Sequence, residues 1–329
     1  MSSRCVVVTG ASAGIGRATA VAFGKRGWHV ALLARGLDGL EAARREIEQA
    51  GGTALVLPVD IAEQAEVEAA AARVEQELGP IDVWVNNAMA TIFCPFERIA
   101  PADFERATRV TYLGAVWGTL AALKRMKPRN RGCIVQVGSA LAYRSIPLQS
   151  PYCGAKSALR GFTDALRSEL IHDKSRVHVT MVQLCAFNTP QFDWGRTCLS
   201  QQPQPVPPIF APEMAAEAII WASEHRRREL WVGFPTVKAI LATHIIPGLL
   251  DRYLARTAYD GQDTNEPLPH DRQDNLYRPV AGDHGAHGRF GARARSSSWQ
   301  LWLNTHRRAI TGAALAVLGA GALLLIGLS

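Results

Sequence analysis

The sequence has 329 residues, of which 48% are hydrophobic and 20% are charged. This composition is typical of a globular protein with a large core, and it excludes a chain that is mostly disordered. The formal net charge of +7 does not indicate nucleic-acid binding, because the basic residues are not gathered on one predicted element.

A glycine-rich turn follows the first predicted strand. An apolar run at residues 5–9 leads to an alanine-rich helical pattern that extends to about residue 25. The turn between them contains Gly10, Ala11, Ser12, Ala13, Gly14, Ile15 and Gly16. Glycines allow the backbone to turn tightly and to approach a pyrophosphate, whose charge is met by N–H groups at the helix N-terminus. The order strand, glycine turn, helix therefore predicts a dinucleotide site rather than an ordinary glycine loop.

The residue after the second predicted strand indicates which dinucleotide is bound. The strand at 28–34 ends at Arg35, about where an acidic residue would hold the ribose 2′-hydroxyl of NAD. A guanidinium there can pair with the extra 2′-phosphate of NADP, and no carboxylate competes before Asp38, at the next helix start. NADP is therefore favoured over NAD, and a solvated arginine at a strand end is the alternative.

Strands and helices continue to alternate along the chain. Further strands are predicted at 53–59, 81–85, 132–137, 176–184 and 229–232, and helices at 63–78, 101–127, 151–172 and 212–223. Asp60 and Ile61 follow the third strand, whereas Asn87 and Ala88 follow the fourth. The alternation predicts an α/β fold with a doubly wound, mostly parallel seven-stranded sheet. A proline-rich stretch at 186–210 is expected to form a mobile loop over a pocket.

Three side chains near the fifth strand can carry acid–base chemistry. Ser139 stands just past that strand, and Tyr152 and Lys156 are four residues apart on the next helix, so they share one face. A free tyrosine titrates near ~10, and a neighbouring ammonium stabilises the phenolate and lowers that pKa. The spacing predicts a general acid–base pair, and a coincidental tyrosine and lysine at helical spacing is the alternative.

These motifs resemble the single-domain Rossmann branch of the short-chain dehydrogenase/reductase family over about residues 4–232. The segment from Thr9 to Gly16 is similar to the family's TGxxxGIG turn, and Tyr152 with Lys156 is similar to its YxxxK motif. The resemblance implies that Tyr152 transfers a proton to or from the substrate oxygen, that Ser139 hydrogen-bonds this oxygen, and that Lys156 holds the nicotinamide ribose. The residues that it implies as cofactor contacts are Gly10, Ser12, Ala13, Gly14, Ile15, Gly16, Arg35, Asp60, Ile61, Asn87, Ala88, Tyr152, Lys156 and Thr189.

Three positions depart from the family's usual pattern. Met89 replaces a glycine and would project an apolar side chain toward the nicotinamide pocket. Thr111 stands in place of the asparagine that many members use to position a proton-relay water, and its shorter side chain weakens that role. Cys185 and Ala186 stand where Pro-Gly is usual, so the turn after the sixth strand is expected to follow a different path.

The region after these motifs divides into three parts. Residues 230–254 are unusually apolar, which predicts a cap over the substrate pocket, a dimer contact or a segment that rests on a membrane surface. They complete a domain at 1–254, which a polar, flexible linker at 255–308 follows. Residues 309–328 carry no charge and are long enough to span the ~30 Å hydrocarbon core of a bilayer. They predict a transmembrane helix that acts as a tail anchor, with a buried soluble helix or an assembly helix as the alternatives.

Charge and cysteine patterns give the expected location. Arg307 and Arg308 precede the apolar segment and no basic residue follows it, so the preceding domain is expected to face the cytoplasm. The six cysteines include no CxxC pair and are expected to be reduced thiols in apolar surroundings. No metal site is expected, although His284 and His287 lie close together in the linker.

The sequence therefore predicts an NADP-preferring oxidoreductase that transfers a hydride between the nicotinamide and a carbonyl or secondary alcohol. The membrane segment and Met89 favour a small apolar substrate of lipid-, steroid- or retinoid-like character. The resemblance implies a homodimer or tetramer. The alternative function is a catalytically weak cofactor-binding scaffold or redox sensor, in which the altered positions 89 and 111 have abolished turnover.

Overall fold

Strands and helices alternate through most of the chain. The structure is a computed structural model and describes residues 4–307. The strands of the main sheet are β1 (Cys5–Thr9), β2 (His29–Ala34), β3 (Thr53–Pro58), β4 (Ile81–Asn86), β5 (Cys133–Ser139), β6 (His178–Leu184) and β7 (Glu229–Trp231). The helices are α1 (Gly14–Gly24), α2 (Leu37–Gln49), α3 (Gln64–Leu78), α4 (Pro101–Thr108), α5 (Gly114–Arg129), α6 (Ser150–His172), α7 (Gln191–Trp194), α8 (Pro212–Glu224), α9 (Phe234–Ile245) and α10 (Pro247–Gly261).

The main sheet has the strand order β7-β6-β5-β4-β1-β2-β3, and all of its pairings are parallel. The predicted α/β fold with a seven-stranded parallel sheet is confirmed. The chain reverses its direction of travel across the sheet between β1 and β4, and such a switch point leaves a crevice at the carboxyl ends of the strands. The glycine turn after β1 and Asn87 after β4 therefore meet at one edge of the sheet.

The sheet is buried on both faces because its strands carry apolar side chains on both sides. In β1, Val6 and Val8 pack with α1, α2 and α8, whereas Cys5 and Val7 pack with α3 and α5. Runs of this kind, apolar at every position, are typical of parallel strands. Each fully buried side chain of valine size contributes about 1.5–3 kcal/mol of transfer free energy, so the sheet is a rigid support for the residues at its edge.

Short strands hold the proline-rich loop and the polar C-terminal segment together. They pair as Ile92–Phe93 with Arg196–Thr197, as Gln201–Pro203 with Asp263–Pro267, and as Ala186–Phe187 with Ile209–Phe210 and then Ala294–Arg295. Residues 186–210, predicted as a mobile loop, are thus joined by backbone hydrogen bonds to residues within 255–308, the segment predicted as a flexible linker. Such bonds do not depend on apolar side chains, so a polar composition does not reveal them.

The structure corrects the prediction that all six cysteines are reduced. Cys94 and Cys198 form a disulfide across a sequence separation of 104 residues, whereas Cys5, Cys133, Cys153 and Cys185 are free. The two bonded cysteines directly follow the paired short strands Ile92–Phe93 and Arg196–Thr197. Their proximity depends on this pairing, which is too distant in sequence for cysteine spacing to predict.

Within residues 4–307, no helix is both long and apolar enough to cross a membrane. The predicted transmembrane helix at 309–328 lies outside the described residues.

Candidate active site

The carboxyl ends of β1, β4 and β5 open into a cavity of about 410 Å³. Its wall contains both the glycine turn and the predicted acid–base group. The predicted site residues that line it are Gly10, Ser12, Ala13, Gly14, Ile15, Arg35, Asp60, Ile61, Asn87, Ala88, Ser139, Tyr152, Lys156 and Thr189. Gly16 lies behind the turn, against Gly10. The fold therefore brings the two halves of the predicted site together over a single cavity.

The glycine turn has the close packing that a dinucleotide cradle requires. A Cβ atom added to Gly16 would lie 2.1 Å from the Gly10 carbonyl oxygen, and Gly14 has a φ of +58°, which favours glycine. The Thr9 hydroxyl accepts a hydrogen bond from the Asn87 N–H at 2.9 Å and so holds the ends of β1 and β4 together. These residues fit a pyrophosphate, because the backbone can approach it closely at the N-terminus of α1.

Two arginines and one aspartate meet at one end of the cavity. Arg35 donates hydrogen bonds to the carbonyl oxygens of Asn275 and Leu276, the latter at 3.2 Å. Arg106 donates to the same Leu276 oxygen at 3.1 Å and forms an ion pair with Asp60. Burial lowers the pKa of Arg35, while the negative charge of Asp60 opposes this effect. The Asp60 carboxylate is thus already neutralised by Arg106, and the Arg35 guanidinium faces uncharged oxygens.

Residues 275–290, called the strap from here on, form one wall of this end of the cavity. The Gly285 carbonyl oxygen accepts a hydrogen bond from the Gly14 N–H at 3.0 Å, and Asp283 pairs with Arg17 at 3.2 Å. Leu276 anchors the strap because its side chain is fully buried in the core. The strap residues that line the cavity are Asn275, Pro279, Val280, Gly282 and His284. A ligand that lies along the glycine turn is therefore enclosed by the strap.

The predicted acid–base group lies at the other end of the glycine turn. Ser139 is the last residue of β5, and its hydroxyl accepts a hydrogen bond from the Leu141 N–H at 3.1 Å. The Lys156 ammonium is fully buried and donates to the Val137 carbonyl oxygen at 2.6 Å. It lies 5.6 Å from the centre of the Tyr152 ring. The predicted proximity of the tyrosine and the lysine on one helix face is therefore present.

Burial changes the titration of both side chains. It raises the pKa of Tyr152 above the ordinary value, and a hydrogen bond with Ser139 opposes the rise. Burial also lowers the pKa of Lys156 to about 8. The sequence predicts a lowered tyrosine pKa, but desolvation of the phenolate has the larger effect and reverses the direction. Tyr152 is therefore protonated at neutral pH, which is the form that donates a proton.

The Lys156→Met variant is expected to be more stable than the wild type below pH 8, by on the order of 2 kcal/mol, and to lose this advantage toward pH 10.5. Below about pH 8 the wild type carries a buried charge, which costs stability. Between about 8 and 10.5 the folded lysine is neutral while the unfolded lysine still binds a proton, so wild-type stability rises with pH. Urea unfolding across this pH range measures the difference.

The matched control for this measurement is Lys25→Met, which changes an exposed lysine. Its stability relative to the wild type should not vary across the same window. A Lys156→Met difference that stays constant from pH 8 to 10.5 would contradict a folded-state pKa lowered by burial.

The remaining wall of the cavity is apolar. The side chains that form it come from the segment after β5, the proline-rich loop and α9. They are Leu141, Ile146, Phe192, Trp194, Val206, Pro207, Pro235 and Ala239. Met89 also lines the cavity, as predicted from its position after β4. This end of the cavity matches a ligand with a largely apolar surface.

A family model of short chain dehydrogenases matches residues 4–194, which is more than half of the chain. The chain belongs to the short-chain dehydrogenase family. Like other short-chain dehydrogenases, it is an oxidoreductase that acts on alcohol or carbonyl groups with NAD or NADP.

Three similar proteins extend this result. The chain is 30% identical to the uncharacterized oxidoreductase YxnA of Bacillus subtilis, over 86% of this chain and 80% of that protein. It is 34% identical to 3-ketodihydrosphingosine reductase of Bos taurus, over 57% of each protein. The structure of an alcohol dehydrogenase from Thermococcus sibiricus complexed with 5-hydroxy-NADP has a TM-score of 0.60 and 27% identity, over 70% of this chain and 95% of that one.

The structure gives Thr111 a different environment from the one expected of a relay residue in a short-chain dehydrogenase. It lies in a π-helical turn, Arg109–Leu113, which interrupts the helix predicted at 101–127. Its hydroxyl accepts from the Ala90 N–H and donates to the Ala90 carbonyl oxygen, both at 2.9 Å. Thr111 therefore holds the backbone next to Met89 and does not line the cavity.

Sequence reasoning missed Arg106 and the strap. Arg106 lies in the last turn of α4, where an arginine is usually solvated, and its ion pair with Asp60 joins segments 46 residues apart in sequence. The strap contacts the site mainly through backbone carbonyl oxygens. The isolated Leu276 in a polar stretch is the one sequence signal that could have indicated an anchor point.

Proposed function

We propose that this short-chain dehydrogenase is an NADP-preferring enzyme that interconverts an apolar ketone or aldehyde and its alcohol at a membrane. The observation that carries the proposal is one cavity that joins the glycine turn and Arg35 at one end to Tyr152 and an apolar wall at the other. The family gives the reaction class, and the cofactor preference, the substrate and the membrane are proposed.

Tyr152, Ser139 and Lys156 can each perform a separate role in carbonyl reduction. When bound, NADPH supplies the hydride that adds to the carbonyl carbon. Tyr152 donates its phenolic proton to the carbonyl oxygen, so that one hydride and one proton give the alcohol. Ser139 donates a hydrogen bond to the same oxygen, where negative charge develops. The Lys156 charge, 5.6 Å from the Tyr152 ring centre, stabilises the phenolate that remains.

The charges around Arg35 support NADP as the preferred cofactor. A carboxylate at this end of the cavity would repel a 2′-phosphate, but Asp60 is paired with Arg106. The partners of Arg35 are two uncharged carbonyl oxygens of the strap, and a phosphate offers the guanidinium a stronger, charge-assisted hydrogen bond. The balance of charge at this end is therefore positive.

The Leu276→Asn variant is expected to release NADP about ten times faster than the wild type. A buried asparagine without partners costs roughly 1–3 kcal/mol, which is comparable to the free energy that holds a loop in place. Loss of the anchor opens the strap wall beside Gly14, through which the dinucleotide would leave. Stopped-flow fluorescence of bound NADPH during displacement by excess NADP measures the release rate.

The same substitution at an exposed position of the strap, Arg278→Asn, is the control and should leave the release rate unchanged. Melting temperatures of both variants show that the domain remains folded. Equal release rates for Leu276→Asn and wild type would show that the strap does not enclose the cofactor.

A lipid-like carbonyl is the substrate class that the cavity wall supports. Similarity to bovine 3-ketodihydrosphingosine reductase agrees with a ketone on a long apolar chain. The test is a series of ketones and aldehydes of increasing chain length, supplied with NADPH to the full chain in lipid nanodiscs. We expect kcat/KM to rise with chain length. Reduction of only small hydrophilic carbonyls would overturn the proposed substrate class.

We expect the protein to be anchored in a membrane, with the enzyme domain on the cytoplasmic side. We also expect it to form a homo-oligomer. The Cys94–Cys198 disulfide is the observation against a reducing compartment, because such bonds persist mainly in oxidising ones. Protease treatment of intact vesicles whose cytoplasmic face is outward decides the side: digestion of the domain supports the cytoplasmic side, and full protection contradicts it.

A further inference from the structure

A set of large apolar side chains is exposed on the last helices of the described chain. This set, called the apolar face, consists of Phe234, Leu241 and Ile245 on α9, Ile246 directly before α10, Leu249 and Tyr253 on α10, and Trp299, Trp302 and Leu303 in the helical residues 299–307. Each of these side chains is at least 42% exposed. The rings of Phe234 and Trp299 lie 5.7 Å apart, so the face is continuous from α9 to the C-terminal helix. Exposed apolar side chains grouped in this way mark an interaction surface.

Helix α9 separates the apolar face from the catalytic cavity. Pro235 and Ala239 point from α9 into the cavity wall, whereas Leu241 and Ile245 are exposed on the same helix. Val206 of the proline-rich loop lines the same cavity as Pro235 and Ala239 and is 42% exposed, so the cavity reaches the surface at Val206. One helix thus has a cavity side and an apolar outer side.

The composition around the face matches a lipid surface. Basic residues Lys238, Arg252 and Arg256 are exposed on α9 and α10, where they can meet anionic headgroups. The face also contains Trp299, Trp302 and Tyr253, and tryptophan and tyrosine are enriched at membrane interfaces. With 12 and 15 residues, α9 and α10 are shorter than the ~20 residues that a spanning helix needs, so contact in the plane of the interface is the geometry available to them.

The position of the apolar face along the chain also favours a lipid surface as its partner. The helical residues 299–307 are fixed to the domain, because Gln300 donates to the Trp231 carbonyl oxygen at 3.0 Å and Leu301 packs on the core. In the sequence, the uncharged residues 309–328 begin two positions after residue 307. The apolar face therefore lies next to the point where the predicted membrane segment begins.

We propose that the apolar face docks on the surface of the bilayer, so that an apolar substrate passes from the lipid to the cavity beside α9. The use of the cavity by such a substrate rests on the proposed function, whereas docking of the face does not.

Docking is tested with an added tryptophan as a probe in the full chain. Leu241→Trp is compared with Ile171→Trp, which places the probe at an exposed apolar position at the end of α6. Both variants are reconstituted in nanodiscs of phosphatidylcholine and phosphatidylserine, with and without brominated acyl chains, and the emission of the 8 native tryptophans is subtracted. We expect brominated lipid to quench the probe at 241 by at least about half, and the probe at 171 little, because bromine quenches only on contact.

Substrate entry is tested with the double variant Leu241→Glu/Ile245→Glu, with Ile171→Glu as the matched control. Charges on the face hold α9 away from the hydrocarbon, so we expect KM for a bilayer-borne long-chain ketone to rise roughly tenfold. The kcat/KM for a short, water-soluble ketone should be unchanged, because neither residue lines the cavity. The control variant should show neither effect.

Two results would overturn the docking proposal. One is a probe at 241 that brominated lipid quenches no more than the probe at 171. The other is a double variant that changes from dimer to monomer in detergent without any lipid effect, which would make the face an interface between copies of the chain. If the wild type reduces no ketone, the proposed function fails, and the quenching experiment still decides docking.

Discussion

Replacement of Tyr152 by phenylalanine is expected to lower kcat/KM for carbonyl reduction by roughly 10³-fold while NADPH binding is retained. The change removes only the phenolic hydroxyl, which is the proton donor in the proposed reaction. Burial raises the pKa of this hydroxyl, so the wild-type donor is protonated at neutral pH. Steady-state rates with an apolar ketone measure the loss, and fluorescence of bound NADPH measures cofactor affinity.

The matched control is Tyr259→Phe, which removes a hydroxyl from an exposed tyrosine on α10. It should retain the wild-type rate. If Tyr152→Phe and wild type bind NADPH equally and neither turns over any carbonyl in a broad panel, the scaffold alternative gains support. A Tyr152→Phe variant that keeps the wild-type rate would exclude Tyr152 as the proton donor.

Replacement of Arg35 by alanine is expected to shift cofactor preference by roughly 10- to 100-fold toward NADH, measured as the ratio of kcat/KM values for NADPH and NADH. A charge-assisted hydrogen bond to the 2′-phosphate contributes about 1.5–3 kcal/mol to NADPH binding and nothing to NADH binding. The guanidinium also donates to the strap carbonyls of Asn275 and Leu276. Loosening of the strap affects both cofactors, so the ratio isolates the phosphate contact.

Two variants separate these effects of Arg35. Leu276→Asn loosens the strap but keeps the guanidinium, so it should weaken both cofactors by similar factors and leave their ratio unchanged. Arg44→Ala removes an arginine of α2 that is half-buried and pairs with Glu41, and it should change neither value. An unchanged NADPH to NADH ratio in Arg35→Ala would show that Arg35 does not select the cofactor.

Most of the fold could be predicted because its signals are local. Apolar runs such as β1, the glycine turn after it, and the four-residue spacing of Tyr152 and Lys156 are each contained in a short stretch of sequence. The parallel sheet then places the carboxyl ends of β1, β4 and β5 at one edge, which brings these motifs over one cavity. The order of the strands across the sheet, by contrast, does not follow from the α/β alternation, because more than one order is compatible with it.

The features that could not be predicted depend on contacts between distant segments. The strap is polar, and it contacts Gly14 and Arg35 through backbone oxygens that any sequence could offer. The Cys94–Cys198 disulfide depends on the pairing of two short strands. The direction of the Tyr152 pKa shift depends on burial, which cannot be inferred from the four-residue spacing between Tyr152 and Lys156.

The most direct test of the central claim is the transfer of deuterium from labelled NADPH to an apolar ketone. The full chain in lipid nanodiscs is incubated with NADPH that carries deuterium at the transferable position, and the alcohol product is examined by mass spectrometry. We predict one deuterium on the carbinol carbon with the wild type and a loss of labelled alcohol with Tyr152→Phe. Consumption of NADPH without labelled alcohol, for every apolar carbonyl tried, would contradict hydride transfer between the cofactor and such a substrate.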